Sequence, residues 1–146
     1  MARMPSSTAP LTDAARAFLA LPLCATIATL DDDGAPRQAV VWYRLEADDR
    51  ILLNSNAPRR WCANLIRDPR VAMSVIDPAD AYNWVGLTGV VEEVVSDVER
   101  ARDDIVSLAH RYRPEGPTEA SLDLFRSQPR VSFLVRIAGF HDHLEG

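Results

Sequence analysis

Between residues 50 and 75 the chain reads RILLNSNAPRRWCANLIRDPRVAMSV, a stretch with almost no slack between its elements. The apolar run Ile51-Leu52-Leu53 ends in Asn54, Ser55 and Asn56, whose short side chains bond local backbone and favour turns and helix starts. Pro58 suits a first helical position, where its missing N–H costs nothing. From there to residue 67, Trp61, Cys62, Leu65 and Ile66 recur at helical spacing as an apolar side, leaving Arg59, Arg60, Asn64 and Arg67 on the rest of the surface. Asp68 precedes Pro69, which disfavours helical backbone before it and ends the helix. The apolar residues at 71–76 then predict a strand. Strand, polar turn, short helix and strand follow in immediate succession, and the remaining elements must be arranged around this corner.

The start of that helix combines free N–H groups, the positive end of the helix dipole and two guanidiniums, a combination that fits a phosphate or carboxylate ligand. An arginine-rich helix is equally what a solvated face looks like, and the pattern alone admits both readings. All 16 basic residues of the chain are arginine. The absence of lysine excludes a Schiff base, a P-loop lysine and a lysine general base. Arginine instead suits rigid, bidentate holding of an anion. The net charge of −5 disfavours broad nucleic-acid binding.

At 146 residues the chain is the size of one domain, expected over 1–146 with 1–10 as a flexible lead-in. No apolar run approaches the ~20 residues of a membrane span, and MARMPSSTAP lacks the apolar stretch of a signal peptide, so a cytoplasmic protein with no membrane partner is expected. Thr12 opens a short amphipathic helix that ends before Pro22. Strands are predicted at 23–30, 37–45, 51–53, 71–76, 82–95 and 131–137, with a hairpin signal at Asp33-Gly34 and a second acidic turn, EADDR. Gly86 and Gly89 predict a bulge or bend in the long strand, as a sheet needs where it curls. Ser96 with Glu99 reads as the capping box of a helix ending near Arg113-Pro114, where His110 and Arg111 face the dipole's negative end. Residues 122–125 belong to another short helix, and GFHDHLEG reads as a tail. Six strands with helices between and around them are unlike a parallel doubly wound sheet. The expected fold is mainly β: a six-stranded antiparallel barrel with peripheral helices, the 58–67 helix covering one opening.

Cys24 and Cys62 both read as buried free thiols. His141, Asp142 and His143 supply two ligands of one type around a carboxylate, which do not make a metal site, and no metal is expected.

Three stretches carry a resemblance: ATIATLDDDGAPRQAVVWY at 25–43, the whole of 50–75 with its NLIRDPRV segment, and YNWVGLTGVVEEV at 82–94. Together with the last strand they cover most of the chain. The sequence resembles the pyridoxamine 5′-phosphate oxidase-like split-barrel flavoproteins, and among them the small reductases that use the deazaflavin coenzyme F420. The resemblance implies that Asn54, Ser55, Arg59 and Arg60 grip the cofactor phosphate. It places Arg37, Val40 and Trp42 against the flavin or deazaflavin ring. It also implies a homodimer with two cofactor sites at the subunit interface, where Tyr82, Asn83 and Trp84 would approach from the partner chain. Many relatives carry a basic residue where this chain has Trp61, so the grip rests on Arg59 and Arg60, and Trp61 is read as core. The C-terminal substrate segment of the true oxidases is not found, so their reaction is not expected.

The expected function is therefore reduction of a small organic acceptor by hydride from reduced coenzyme F420. The alternatives are an FMN-dependent oxidoreductase on the same barrel and a non-catalytic flavin- or deazaflavin-binding protein. No triad, general-base histidine or metal set is predicted, and with the cofactor carrying the chemistry none is required.

Overall fold

The strand expected at 37–45 breaks in two, and this break organises the sheet. A computed structural model describes residues 10–144. The strands are β1 (Ala25–Leu30), β2 (Pro36–Val41), β3 (Arg44–Leu45), β4 (Ile51–Asn56), β5 (Arg70–Asp77), β6 (Asp80–Val95) and β7 (Arg130–Asp142). The helices are α1 (Asp13–Leu19), α2 (Arg60–Arg67), α3 (Val98–Tyr112) and α4 (Glu119–Ser127). All seven strands form one antiparallel sheet in the order β2-β1-β5-β6-β7-β4-β3. Its two edge strands, β2 and β3, are consecutive in the chain with only Trp42 and Tyr43 between them. The sheet must therefore curl until its edges lie side by side. This gives a split barrel of seven strands rather than six, the extra one arising from the kink.

The broken ladder at Trp42-Tyr43 is repaired by the end of α3. The Tyr112 hydroxyl accepts the Tyr43 N–H at 3.1 Å and donates toward the Leu23 carbonyl at 2.7 Å. Arg111 donates to the carbonyls of Tyr43, Ala20 and Leu21 at 3.0, 2.9 and 2.7 Å, binding the C-terminal end of α1 to the same point. The Tyr43 ring is fully buried and its hydroxyl donates to the Leu19 carbonyl at 2.8 Å. Burial pushes that phenol well above its ordinary pKa.

The barrel interior follows from strand alternation. On β1 the buried residues are Ala25, Ile27 and Thr29, and on β5 they are Val71, Met73 and Val75. On β4, Ile51 and Leu53 face the interior with Trp61, Cys62, Leu65 and Phe133, whereas Leu52 packs outside with Ile105, Leu108 and Leu134 beneath α3. Both faces of β4 are covered, which is why its whole apolar run is buried. The pairing of β6 with β7 slips between Thr88 and Gly89 and again between Val91 and Glu93. A Cβ on Gly89 would lie 2.4 Å from Val135 Cγ1, so the expected bend sits at Gly89, while Gly86 stays in regular register.

Several local expectations are corrected. The polar residues Asn54, Ser55 and Asn56 are not a turn but the last half of β4, paired with Ser132, Val131 and Arg130. Helix α2 begins at Arg60 with Arg59 as its N-cap, because the Arg59 N–H already closes a turn onto the Asn56 carbonyl at 3.0 Å. Ile66 on this helix is 59% exposed and Asn64 only 1%. Asn64 takes the inward place because its amide donates to Thr29 Oγ1 and Asp31 Oδ1 at 3.0 and 2.8 Å, tying α2 to β1. The cap of α3 is Asp97, which accepts from the Glu99 and Arg100 N–H groups, rather than Ser96. Cys24 precedes β1 and is exposed; Cys62 is buried as expected. The first half of the expected C-terminal tail is strand, since β7 runs on to Asp142 and Gly86 pairs with His141. The long partner strand supplies backbone bonds that the side-chain pattern of GFHDH did not advertise. Residues 1–9 of the expected lead-in, and Glu145 and Gly146 of the tail, lie outside the described residues. Among the described residues no helix is long and apolar enough to cross a membrane.

Two predictions follow from these joints. Tyr112→Phe keeps the ring but leaves the Tyr43 N–H without its acceptor, which should cost about 1 to 3 kcal/mol in urea unfolding. The Arg37 and Asn64 hydrogen bonds hold the Asp31 carboxyl down to about 2, from an ordinary 3.8. A depressed folded pKa contributes stability above the unfolded value and loses it as pH falls toward the folded one. Stability should therefore drop between 3.8 and about 2, a window shared with Asp68, which Arg70 also holds at about 2. Asp31→Asn should remove its part of this slope, read as a flatter dependence of the unfolding midpoint on pH.

Candidate functional site

At one end of the barrel a cavity of about 240 Å³ opens between the end of β2, the end of β4 and the start of α2. It unites Val40, Trp42, Asn54, Ser55 and Arg59, five of the eight residues singled out from sequence, with Cys24, Val41, Trp61 and Ile105 completing the wall.

Each wall residue is placed by a different constraint. Val40 lies on the edge strand β2, 73% exposed, so its side chain is presented rather than packed. Trp42 sits in the break after β2 and stacks on Tyr112, with ring centroids 4.9 Å apart and planes 4° from parallel. Its neighbour ring is fixed in turn by the hydroxyl bonds described above, so Trp42 is a rigid plate. Trp61 is buried against Phe133, ring centroids 5.8 Å apart, and holds α2 to the barrel as expected of a core residue. Arg59 is exposed at the start of α2, and no side chain caps that helix. The Cys62 and Ala63 N–H groups bond the Arg59 carbonyl at 3.1 and 3.2 Å, and those of Arg60 and Trp61 at the helix start lie near a cation, the arrangement that favours an anion.

Asn54 and Ser55 are buried. The Asn54 amide is engaged inside the protein: its Nδ2 donates to the Ala101 carbonyl at 2.8 Å and to Ser132 Oγ at 2.7 Å, and its Oδ1 accepts from Arg130 Nε and Nη2 at 3.0 and 2.9 Å. Ser132 Oγ passes its proton toward Asp104 Oδ2 at 2.7 Å. Ser55 lies beside the Cys62 thiol, which burial pushes up to about 12. That thiol is inert at neutral pH, whereas Cys24 opens onto the cavity.

Arg130, which sequence reading did not single out, is a buried charge behind Asn54. Only 8% exposed, it stands opposite Asn56 in the β4–β7 pairing, with its guanidinium 5.3 Å from the Phe125 ring. Burial, with the neighbouring Arg59 charge adding to it, lowers its pKa to about 10. A Pro-Arg pair after a helix gives no such signal in the chain; pairing of β7 with β4 makes it. Arg59 beside the helix start that no side chain caps is a fit for a phosphate-bearing cofactor, and the apolar plate of Trp42 with Val40 is a fit for a planar ring.

The other three singled-out residues lie elsewhere. Arg37 pairs with Asp31, its Nε 2.8 Å from Oδ1. Arg60 does not line this cavity, and its charge acts weakly on Asp31. Trp84 lines a separate cavity of about 520 Å³ with His141, and the two cavities share no residue. There Trp84 stacks on His143 at 4.3 Å and meets His141 edge-on at 5.0 Å. The two histidines thus pack on an indole, and among the described residues no group of three or more His, Cys, Asp or Glu is placed to hold a metal ion.

The family model for pyridoxamine 5′-phosphate oxidase matches residues 11–138. No curated protein matches the sequence. Among solved structures, an F420 reductase is 28% identical and superposes with a TM-score of 0.75, covering 90% of this chain and 98% of that one. A conserved hypothetical protein from Mycobacterium tuberculosis is 24% identical with a TM-score of 0.68, over 97% of this chain and 91% of that one. A heme storage protein from Vibrio cholerae, at 19% identity and a TM-score of 0.63 over 87% and 90%, shares the fold. With a split-barrel sheet, a cavity at its open end and a family match that spans nearly every element, the chain belongs to the pyridoxamine 5′-phosphate oxidase family.

Proposed function

We propose that this protein is an oxidoreductase that binds the deazaflavin coenzyme F420 and reduces a small organic acceptor. One observation carries the reading: Val40, Trp42, Asn54, Ser55 and Arg59, distant in sequence, line one cavity. Likeness to an F420 reductase at 28% identity over 90% of the chain supports the choice of cofactor. When bound, the reduced deazaflavin supplies the hydride. The residues of this chain position and shield. Arg59 and the uncapped turn of α2 hold the phosphate, and Val40 with the Trp42 plate lies against the ring. Arg37, paired with Asp31, and Arg60, which does not line this cavity, contribute less to the site than Arg59.

The cavity of about 240 Å³ is smaller than the ~300 to 1,000 Å³ usual for small-molecule pockets, so one chain holds only part of a cofactor. A homodimer completes the site. Its contact is formed by the outer face of β1, β5 and β6, where Thr26, Ala28, Ala72, Ser74, Gly86 and Thr88 present small side chains beside Trp84. Tyr82, 83% exposed, extends this face.

Fluorescence titration of the purified protein with coenzyme F420 should show quenching. Arg59→Ala should weaken binding by about 1.5 to 3 kcal/mol without lowering the melting temperature of the free protein. Bound cofactor should also protect Cys24 from alkylation, a readout independent of turnover. Yellow protein that releases FMN on denaturation would replace this reading with the FMN-dependent one, and binding without turnover of any acceptor would leave a carrier. Sedimentation equilibrium at micromolar concentration should give a dimer; a monomer alone would refute the shared site.

A further inference from the structure

Helix α3 ends at Tyr112, and its C-cap residue Arg113 has extended backbone, φ −129° and ψ 103°, as suits a residue that precedes proline. The turn out of the helix brings the Arg113 guanidinium carbon over the Trp42 ring, 5.7 Å from its centre. Trp42 lines the cavity, and Tyr112 stacks flat against it. Arg111 lies 5.4 Å from the centre of the Tyr112 ring, but its N–H groups are taken up by the carbonyls of Leu19, Ala20, Leu21 and Tyr43. Arg113 has no such engagement. Its side chain is exposed, and among the described residues it donates no hydrogen bond and has no carboxylate within ion-pair distance, in a chain where acids outnumber arginines 21 to 16. What holds it at the indole is the attraction of a cation for the negative face of the ring, a weak force at an exposed site.

We propose that Arg113 is a specificity residue of the cavity: with the Trp42 plate it forms a seat that selects a planar ring carrying negative charge over a neutral one. The inference rests on the cofactor site proposed above and adds to it the residue that sets which ring the site prefers. The deazaflavin of coenzyme F420 bears a ring hydroxyl conjugated to a carbonyl, a vinylogous acid that ionises near neutral pH and spreads its charge over the ring system. The oxidised ring of FMN has no such group and is neutral at the same pH. A flat guanidinium suits a delocalised anion, since it offers its face to a π-system and its N–H edge to oxygen. An arginine held by an acid would first have to leave it; Arg113 has none to leave. Opposite charge nearby favours the ionised form, so the ring hydroxyl should ionise at lower pH when bound than when free.

The deazaflavin riboside carries the same ring and no phosphate, so it isolates the seat from the phosphate site, with riboflavin as the neutral control. Each would be titrated by quenching of protein fluorescence at pH values on either side of the ring ionisation, and the absorbance of the bound riboside followed across the same range. Wild-type protein should bind the ionised riboside roughly two- to fivefold more tightly than the protonated form, with the ring ionisation moved to lower pH, and riboflavin should show no such preference. Arg113→Gln should abolish both effects, and Arg113→Lys, which keeps the charge without the flat fork, should retain part of them. Arg126→Gln removes an exposed charge on α4 and should leave both in place, which separates the seat from net charge. A ring ionisation unchanged on binding, or a shift that survives Arg113→Gln, overturns the seat and leaves coenzyme binding through the phosphate intact. Protein that binds neither the coenzyme nor the riboside overturns the seat and the cofactor reading together. Charge-dependent binding of the riboside by a protein that reduces no acceptor keeps the seat and overturns the oxidoreductase reading.

Discussion

The register of β4 against β7 is the constraint on which the rest of the molecule depends. With Asn54 opposite Ser132 and Asn56 opposite Arg130, four polar residues come together at the end of the barrel, where strands leave the apolar interior. Buried polar groups are stable only when their hydrogen bonds are met, and here the Asn54 amide meets Arg130, Ser132 and the Ala101 carbonyl at once. A slip of one residue would turn Leu53 outward and Asn54 inward, breaking both the core and the network. The same register buries the Arg130 guanidinium against Asn54.

Barrel closure is the second joint. Two edges of a seven-stranded sheet would each expose unpaired backbone, a template for association. Here they are consecutive in the chain, and the two residues between them are clasped by Tyr112 and Arg111 from α3. Closure and site construction are one event, because the clasp that repairs the ladder at Tyr43 also fixes Trp42 as a flat wall of the cavity. The end of α3 acts on the cavity in a second way, since its C-cap residue Arg113 lies with its guanidinium carbon 5.7 Å from the centre of the Trp42 ring.

A chain whose only strong cations are arginines uses them in three distinct ways. Arg111 cross-links carbonyls at the ends of elements. Arg37 and Arg70 pair with nearby carboxylates, holding Asp31 and Asp68 ionised into strong acid. Arg59 and Arg130 meet no carboxylate within ion-pair distance among the described residues, and Arg130 instead donates to the amides of Asn54 and Gln128. Residue type could not separate these uses; the presence or absence of a nearby acid does.

What lay legible in the sequence was local. Strand alternation, the Asp33-Gly34 turn, the Thr12 cap and the stop before Pro69 follow from neighbours along the chain, and each element stands where those signals put it. That Asn54, Ser55 and Arg59 would lie close together was legible because strand end and helix start bring them within six positions. Tertiary structure alone decided the break at Trp42, the extension of β7 through His141 and the inward turn of Asn64. It alone decided Arg130, more than seventy residues away from Asn54 in sequence. Chain-local rules state which face a residue can take, but which residue lies across from it is set by register and curl, and those are fixed only when the whole sheet closes on its core.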